Sequence, residues 1–179
     1  MRALKHFSSF KNEHLTEYAI PPILKALSDA EPSVISVAVN CIRRLYYYHP
    51  EVLVETTLPD ELFKLVFHSN SNVVANALVA LMELDDGEEK NLLGTLLQTR
   101  VLTITATLFE ANEWDKIKIL ECLLRFTPID IEVSERLITQ LKYFLSIPTS
   151  NSAIILTTIK VCLPLFLNFM YIHSIFRLF

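Results

Sequence analysis

The chain has 179 residues, of which 51% are hydrophobic and 20% are charged, and this composition excludes an intrinsically disordered protein. Its two glycines, Gly87 and Gly94, are too few and too isolated for the glycine-rich loops that bind phosphates or dinucleotides. The formal net charge of −4 gives no sign of nucleic-acid binding. So little glycine also disfavours β-hairpins, and predicts an all-helical fold with short connections.

Similar apolar segments recur along the chain about 40 residues apart. Three of them begin at Pro32, Ser71 and Asn151, and a weaker fourth begins near Asn112. Each has the spacing of an amphipathic helix, and another helical stretch precedes each of them. The repeating unit is therefore a pair of helices. Because one pair cannot bury its apolar stripe alone, the stacking of neighbouring pairs has to form the core.

The predicted elements are the first and second helices of four such pairs. In chain order they cover residues 18–27, 32–48, 58–67, 71–84, 92–111, 113–126, 131–145 and 151–166. This order predicts an all-α fold of the HEAT or armadillo type, an α-solenoid of about four helix pairs that forms a single domain over residues 1–166. Ala38 and Ala77 occupy equivalent positions of adjacent second helices, where small side chains allow close approach. An acidic run at residues 83–89 is predicted to be a solvated loop, with an ion site or a basic-partner site as the alternative.

Three cysteines, Cys41, Cys122 and Cys162, lie far apart, and all of them fall on second helices. The N-terminus has no apolar core of the length that a secretory signal needs. We therefore expect buried free thiols in a protein of a reducing compartment, the cytosol.

The C-terminal residues 153–179 are strongly apolar. The longest stretch without a full charge covers residues 161–176, which is shorter than the roughly 20 residues that a spanning helix needs. We expect a helix of the repeat core, with a membrane-inserting or interfacial role as the alternative. An uncovered apolar surface of this size predicts self-association through residues 161–179.

The link between the first two helices resembles the signature of HEAT repeats, Asp-x-x-Pro-x-Val-Arg-x-x-Ala. Asp29, Pro32, Val34 and Ala38 are in register with that signature. Ile35 stands where the family commonly has arginine, so the resemblance gives no reason to expect a polar ladder along the array.

Four phrases resemble the trunk of β-adaptins, the large subunits of clathrin-type adaptor complexes, and they follow one another in that family's order. They are Leu15-Thr16-Glu17-Tyr18 with Pro22 and Leu27-Ser28-Asp29; Asn72-Val73-Val74-Ala75-Asn76-Ala77-Leu78; Asn112-Glu113-Trp114 with Ile119-Leu120-Glu121-Cys122 and Pro128; and Asn151-Ser152-Ala153-Ile154-Ile155-Leu156 with Lys160-Val161. The resemblance covers residues 1–166, and an apolar tail of residues 167–179 lies outside it. The residues in these segments slightly favour the fourth of the numbered adaptor complexes.

The resemblance implies a non-enzymatic scaffold in vesicle-mediated protein transport, without a cofactor. Its partners would be the other adaptor-complex subunits and a small GTPase. It would be cytoplasmic and peripheral on Golgi, endosomal or coated-vesicle membranes. Another HEAT-repeat scaffold, such as a coatomer or nuclear-transport-receptor segment, is the first alternative. An enzyme, or a membrane-inserting protein that uses the C-terminal apolar tract, is the second.

Aromatic side chains supply the first candidates for a partner surface. Tyr46 and Tyr47, together with Tyr48, end a helix, and three consecutive side chains point around its axis. At least one ring must therefore be exposed, although packing in the core and at its rim is the simpler expectation. Trp114 would either fill a gap between repeats or anchor a partner.

Basic side chains supply the remaining candidates. Arg43 and Arg44, with Lys25 and Lys64 elsewhere in the first two pairs, could form a strip for phosphoinositide headgroups, although separately solvated charges are the simpler interpretation. The five histidines show no metal-ligand spacing with the cysteines and no His-Glu-x-x-His motif. The sequence therefore predicts neither a catalytic site nor a metal site.

Overall fold

A computed structural model describes residues 13–50, 57–87, 92–147 and 151–176, with side chains from 18–50, 57–85, 93–147 and 151–167. The helices in these residues are α1 Glu13–Leu27, α2 Pro32–Tyr48, α3 Leu58–Leu65, α4 Ser71–Gly87, α5 Leu92–Ala106, α6 Glu113–Leu123, α7 Ile131–Ser146 and α8 Ser152–Phe176, with a 3₁₀ helix at Thr107–Phe109. The described residues contain no β-strand and no positive φ angle. The predicted all-α fold class and the order of first and second helices are confirmed.

The chain divides into two compact units, residues 1–92 and residues 93–179. In the first unit, α1 packs on α2, α3 packs on α4, and the second helices α2 and α4 pack on each other. In the second unit, α7 packs on α8, and α8 also packs on α6. Second helices of neighbouring pairs thus meet inside each unit, as in HEAT-type repeats. The separation of residues 167–179 from a domain at 1–166 stays a prediction.

A carboxylate or amide side chain accepts a backbone N–H at the start of every second helix. The four acceptors are Asp29, Asn70, Asn112 and Asn151, each with a shortest N···O distance of 2.9 to 3.0 Å. These bonds satisfy N–H groups that have no partner inside the helix. The starts of the second helices therefore recur about every 40 residues, as the apolar stripes do.

Two first helices depart from their predicted boundaries. Pro21 and Pro22 lie inside α1, which begins at Glu13, ahead of the predicted start. The helix predicted for residues 92–111 changes to 3₁₀ geometry after Ala106. There the Thr105 hydroxyl donates to the Val101 carbonyl and the Thr107 hydroxyl to the Ile104 carbonyl, each at 2.7 Å. Such local bonds to the preceding turn commonly bend a helix.

The acidic run was predicted to be a solvated loop, and for residues 83–87 this prediction is wrong. These residues belong to the last turns of α4, and residues 88–89 lie outside the described part of the chain. Glu83 forms an ion pair with Arg43 of α2. The physical reason is that the apolar stripe of α4 continues to the buried Leu84, which keeps the neighbouring acidic residues helical.

The C-terminal helix α8 begins as predicted and extends to Phe176. None of the described helices is long and apolar enough to cross a membrane. Several large apolar side chains of α8 are nevertheless exposed, namely Leu156, Ile159, Leu163, Phe166 and Leu167. The predicted self-association surface at 161–179 is thus described as far as Leu167 for its side chains, and the rest lies outside the described side chains.

Replacement of Ala77 by phenylalanine should destabilise the protein. Ala38 and Ala77 are both fully buried, and their helices α2 and α4 pack on each other. A larger side chain there would overpack the contact, which costs about 1–3 kcal/mol of unfolding free energy. Urea denaturation followed by circular dichroism measures it. Ala153→Phe is the matched control, because Ala153 is exposed at the start of α8. Equal unfolding midpoints for Ala77→Phe and the wild type would contradict the proposed packing.

Candidate partner-binding site

Three of the five predicted surface residues meet on one face of α2. Arg43, Arg44 and Tyr47 line a groove of about 720 Å³. The other lining residues are Val37, Asn40, Cys41 and Tyr48 of α2 and Glu83 of α4. Asn40, Cys41, Arg44 and Tyr48 follow Val37 by three, four, seven and eleven residues, which places them on one helical face. Arg43 and Tyr47 follow it by six and ten residues and lie at the edge of that face. The volume is within the roughly 300–1,000 Å³ that is typical of ligand-binding clefts.

The guanidinium of Arg43 is fixed by two neighbours. Its Nε donates to Oε2 of Glu83 at 2.7 Å, and its Nη2 donates to Oε1 of the same carboxylate. Its Nη1 donates to Oδ1 of Asn40 at 3.1 Å. The hydrogen bond with Glu83 raises the pKa of Arg43, and partial burial opposes that shift. Since both side chains remain partly exposed, the pair contributes more to orientation than to stability.

A further polar contact joins α2 to α4, and a second bond within α4 shares its acceptor. The Ser36 hydroxyl donates to Oδ1 of Asn72 at 2.7 Å, and Nδ2 of Asn76 donates to the same oxygen at 3.2 Å. The resemblance to HEAT repeats gave no reason to expect such contacts, because Ile35 replaces the usual arginine. One signal was available in the sequence: Arg43 and Glu83 have opposite charges and are separated by one repeat period of 40 residues.

The three consecutive tyrosines differ in exposure. Tyr46 is half-buried, and its hydroxyl donates to the Leu84 carbonyl at 3.4 Å. Tyr47 is 80% exposed, and its ring meets the Tyr48 ring edge-on with a centroid distance of 5.1 Å. Tyr46 therefore belongs to the contact between α2 and α4, whereas Tyr47 forms part of the outer surface.

Trp114 lies in the second unit, in the first turn of α6. Its side chain is 77% exposed, so within this unit it fills no gap between repeats. Of the two interpretations of Trp114, the exposed geometry favours an anchor for a partner.

Two of the four members of the predicted basic strip form ion pairs with carboxylates. Arg43 is paired with Glu83, and Nζ of Lys64 donates to Oε1 of Glu61 at 2.6 Å. Lys25 and Arg44 are exposed. Pairing with carboxylates weakens the case for a continuous basic strip.

Two surface features of the second unit had no counterpart in the sequence analysis. The rings of Phe109 and Tyr143 are exposed and lie 5.3 Å apart, and buried Phe144 is in contact with both. A second groove, of about 260 Å³, is almost entirely apolar and is lined by Ile138, Lys142, Leu145, Ile159, Cys162, Leu163 and Phe166. These residues come from two helices, so the sequence spacing within one helix could not reveal the groove.

None of the three cysteines forms a disulfide; Cys41 and Cys122 are buried, as predicted, and Cys162 is half-buried. Burial raises the pKa of Cys122 to about 12, against a smaller opposite effect of the Arg125 charge. Burial also raises the pKa of Cys162. Thiols that stay protonated at neutral pH are poor nucleophiles and poor metal ligands. Within the described residues, no group of three potential metal ligands comes together.

The comparisons with known proteins agree with the helix-pair architecture. The family described as Cnd1, non-SMC mitotic condensation complex subunit 1, matches residues 1–164. The chain is 29% identical to AP-1 complex subunit beta of Dictyostelium discoideum over 99% of its own length and 18% of that protein. It is 30% identical to AP-1 complex subunit beta-1 of Mus musculus over 89% of the chain and 17% of that protein.

A plant relative adds to these matches. The chain is 28% identical to Beta-adaptin-like protein A of Arabidopsis thaliana, over 96% of the chain and 21% of the relative. The resemblance to β-adaptins that the sequence phrases predicted is confirmed. The chain spans about a fifth of the length of the curated relatives it matches. The slight preference for the fourth numbered complex stays a prediction.

The buried thiol of Cys122 should make stability fall at alkaline pH. Its pKa is about 12 in the folded state against 9.0 as the ordinary value, so the unfolded chain loses this proton first. The contribution is complete below about pH 9 and is lost between about pH 9 and 12, at up to about 1.4 kcal/mol per pH unit.

Urea titrations across this pH range measure the effect. The Cys122→Ala variant should have a shallower decline than the wild type, because it lacks the titrating group. Parallel declines of the two proteins would show that burial does not shift this pKa.

Proposed function

We propose that this chain, which belongs to the family described as non-SMC mitotic condensation complex subunit 1 and resembles the β-adaptin trunk, is a non-enzymatic scaffold segment. In this role it holds partner subunits at coated membranes during vesicle-mediated intracellular protein transport. The observation that supports this most is the match of 89–99% of the chain to proteins named as AP-1 beta subunits.

The architecture is consistent with a role in assembly. Repeated helix pairs expose long outer surfaces, and such surfaces are typical binding sites of solenoid proteins. Exposed aromatic and arginine side chains are enriched at interface hot spots, and they lie at two of the places that the sequence predicted as a partner surface. These places are the α2 surface with Arg43, Arg44 and Tyr47, and the exposed ring of Trp114.

The partners in this proposal are the other adaptor-complex subunits, with a small GTPase as a further candidate. The protein is then cytoplasmic and associates peripherally with Golgi, endosomal or coated-vesicle membranes through its complex. Nucleic acid is not a partner, because the acidic net charge of −4 opposes binding to phosphates.

A second candidate follows from the family description. A scaffold subunit of a condensation complex would use the same helix pairs, and the match over residues 1–164 supports it. Coatomer and nuclear-transport scaffolds have the same architecture in principle. The partners, and not the fold, distinguish these possibilities.

Affinity purification of the tagged chain followed by mass spectrometry should recover medium and small adaptor subunits. Trp114→Ala should reduce this recovery by tenfold or more, since an exposed anchor typically supplies about 2 kcal/mol or more of binding free energy. Ile129→Ala is the control, because Ile129 is exposed to a similar extent. Recovery of condensation-complex subunits without adaptor subunits would contradict the main proposal and support the second candidate.

We also infer that a second copy of the chain covers the apolar surface of α8. Leu163 is 57% exposed, and it lines the apolar groove with Ile159 and Phe166. An exposed apolar surface of this kind is costly in water and is commonly removed by association. Leu163 and Phe166 belong to the predicted segment, residues 161–179, and Ile159 lies just before it.

Sedimentation velocity at tens of micromolar should therefore detect dimers or larger species. Leu163→Asp, Phe169→Asp and deletion of the residues after Phe166 should each shift the protein toward the monomer. Ile129→Asp should leave the distribution unchanged, because Ile129 is exposed in the link before α7. A wild-type monomer at this concentration would contradict the inference.

A further inference from the structure

Trp114 is 77% exposed, although it lies on a well-ordered part of α6. Oδ1 of Asn112 accepts the backbone N–H of Asp115 at 2.9 Å, and Nδ2 of Asn112 donates to Oδ2 of Asp115 at 2.7 Å. These two bonds cap the helix and fix the turn that contains Trp114. Because the backbone is already ordered, a partner that binds the indole has a smaller entropy cost to overcome.

The segment around Trp114 is acidic. Residues 110–121 contain four acidic and two basic residues, a net charge of −2. Both basic side chains interact within the second unit: Nζ of Lys118 donates to Oδ1 of Asp115 at 3.1 Å, and Nζ of Lys116 lies 5.8 Å from the centre of an aromatic ring of α7. The other three acidic residues are exposed, and they are Glu110, Glu113 and Glu121. The negative charge of this segment is therefore displayed at the surface.

Glu113 is next to Trp114 in the chain, and its carboxylate is held in place. Oε2 of Glu113 accepts a bond from Nδ2 of Asn151, at the start of α8, at 3.1 Å. The asparagine amide is uncharged, so this bond orients the carboxylate without neutralising it. It also uses only one of the roughly four bonds that a carboxylate can accept. Glu113 thus keeps both its charge and the capacity to bind a cation.

The carboxylate beside Trp114 restricts which partners can cover the indole. A partner that covers Trp114 also removes water from Glu113, and an ionised carboxylate is costly to bury without a cation or hydrogen-bond donors. A purely apolar partner supplies neither of them. An anionic membrane surface or a nucleic acid is repelled by the same carboxylates.

A guanidinium satisfies both groups at once. It is attracted to the face of an aromatic ring, most strongly to that of tryptophan. Its planar fork of N–H groups also binds a carboxylate through two parallel hydrogen bonds, which a lysine ammonium cannot reproduce. Arginine is therefore the side chain that fits Trp114 and Glu113 together.

We propose that the α6 surface of Trp114, Glu110, Glu113 and Glu121 binds an arginine-containing segment of a partner protein. An arginine of that segment stacks on the indole and bonds to Glu113, while Glu110 and Glu121 attract further basic residues of the segment. The inference rests on the proposed scaffold function, because it gives one partner surface of that scaffold a defined chemistry.

The chain contains a single tryptophan, so its fluorescence reports on Trp114 alone. An array of random dodecapeptides is probed with the purified full chain, and the strongest binders are resynthesised. Each peptide is titrated into the chain while tryptophan fluorescence is recorded, and fluorescence anisotropy of a fluorescein-labelled copy gives its affinity. A matched analogue replaces each arginine by citrulline, which keeps the shape of the side chain and removes its charge.

The binders should be enriched in arginine, and they should shift the tryptophan emission to shorter wavelength, because the indole leaves water. The citrulline analogues should bind about tenfold or more weakly, as expected for a lost charge-assisted bond. Trp114→Ala should cause a loss of similar size. Glu113→Gln should cause a loss of several-fold, because glutamine keeps an acceptor for Asn151 and lacks the charge.

Two variants serve as matched controls and should bind the peptides as the wild type does. Tyr47→Ala removes an aromatic ring that is 80% exposed in the first unit. Glu135→Gln removes a carboxylate that is exposed on α7 of the second unit. Circular dichroism verifies that all variants are folded.

The proposal is wrong if no peptide binds, if the binders lack arginine, or if the citrulline analogues bind equally well. Unchanged binding by folded Trp114→Ala would also overturn it. Apolar binders that depend on Trp114 would assign the surface to a hydrophobic partner and would contradict the proposal as well. The measurement uses the isolated chain, so its failure is distinguishable from failure to recover adaptor subunits from cells.

Discussion

The contact between the second helices α2 and α4 determines most of what the first unit can do. Each helix pair has an apolar stripe that it cannot bury by itself, and the neighbouring pair has to cover it. Ala38 and Ala77 have no exposed surface, so the two backbones come close without a gap. Because packing of this density tolerates little change in volume, the relative position of α2 and α4 is closely constrained.

Hydrogen bonds at the edge of the contact between α2 and α4 fix the orientation of side chains on the neighbouring surface. Ser36 bonds to Asn72, and Arg43 bonds to Glu83 on the same pair of helices. These bonds add little stability where they are exposed, but they fix the direction of the Arg43 guanidinium. The hydroxyl of Tyr46 bonds to α4, and the next residue, Tyr47, consequently points outward. The candidate site is therefore a direct consequence of repeat stacking.

The starts of the second helices were predictable from the sequence to within one residue, because period and capping chemistry coincide. Pro32 and Ser71 begin α2 and α4 as predicted, and Asn112 and Asn151 each cap the helix that follows. The candidate site was predictable only in part. Exposure of Tyr47 follows from three consecutive tyrosines on one helix, whereas the pairing of Arg43 depends on a residue 40 positions away. A single-helix pattern cannot determine such a contact between two helices.

The two grooves differ in chemistry, and the difference suggests two kinds of interaction. The groove between α7 and α8 is lined by apolar side chains, with Lys142 as its charged residue. Exposure of these apolar side chains to water is unfavourable. Surfaces of that kind resemble the core of permanent interfaces, which are more hydrophobic than transient ones. The α2 groove combines paired charges with tyrosine rings, and such a surface remains soluble when it is empty. A scaffold needs both types, because lasting contacts hold the assembly together while exchangeable contacts let its partners bind and leave.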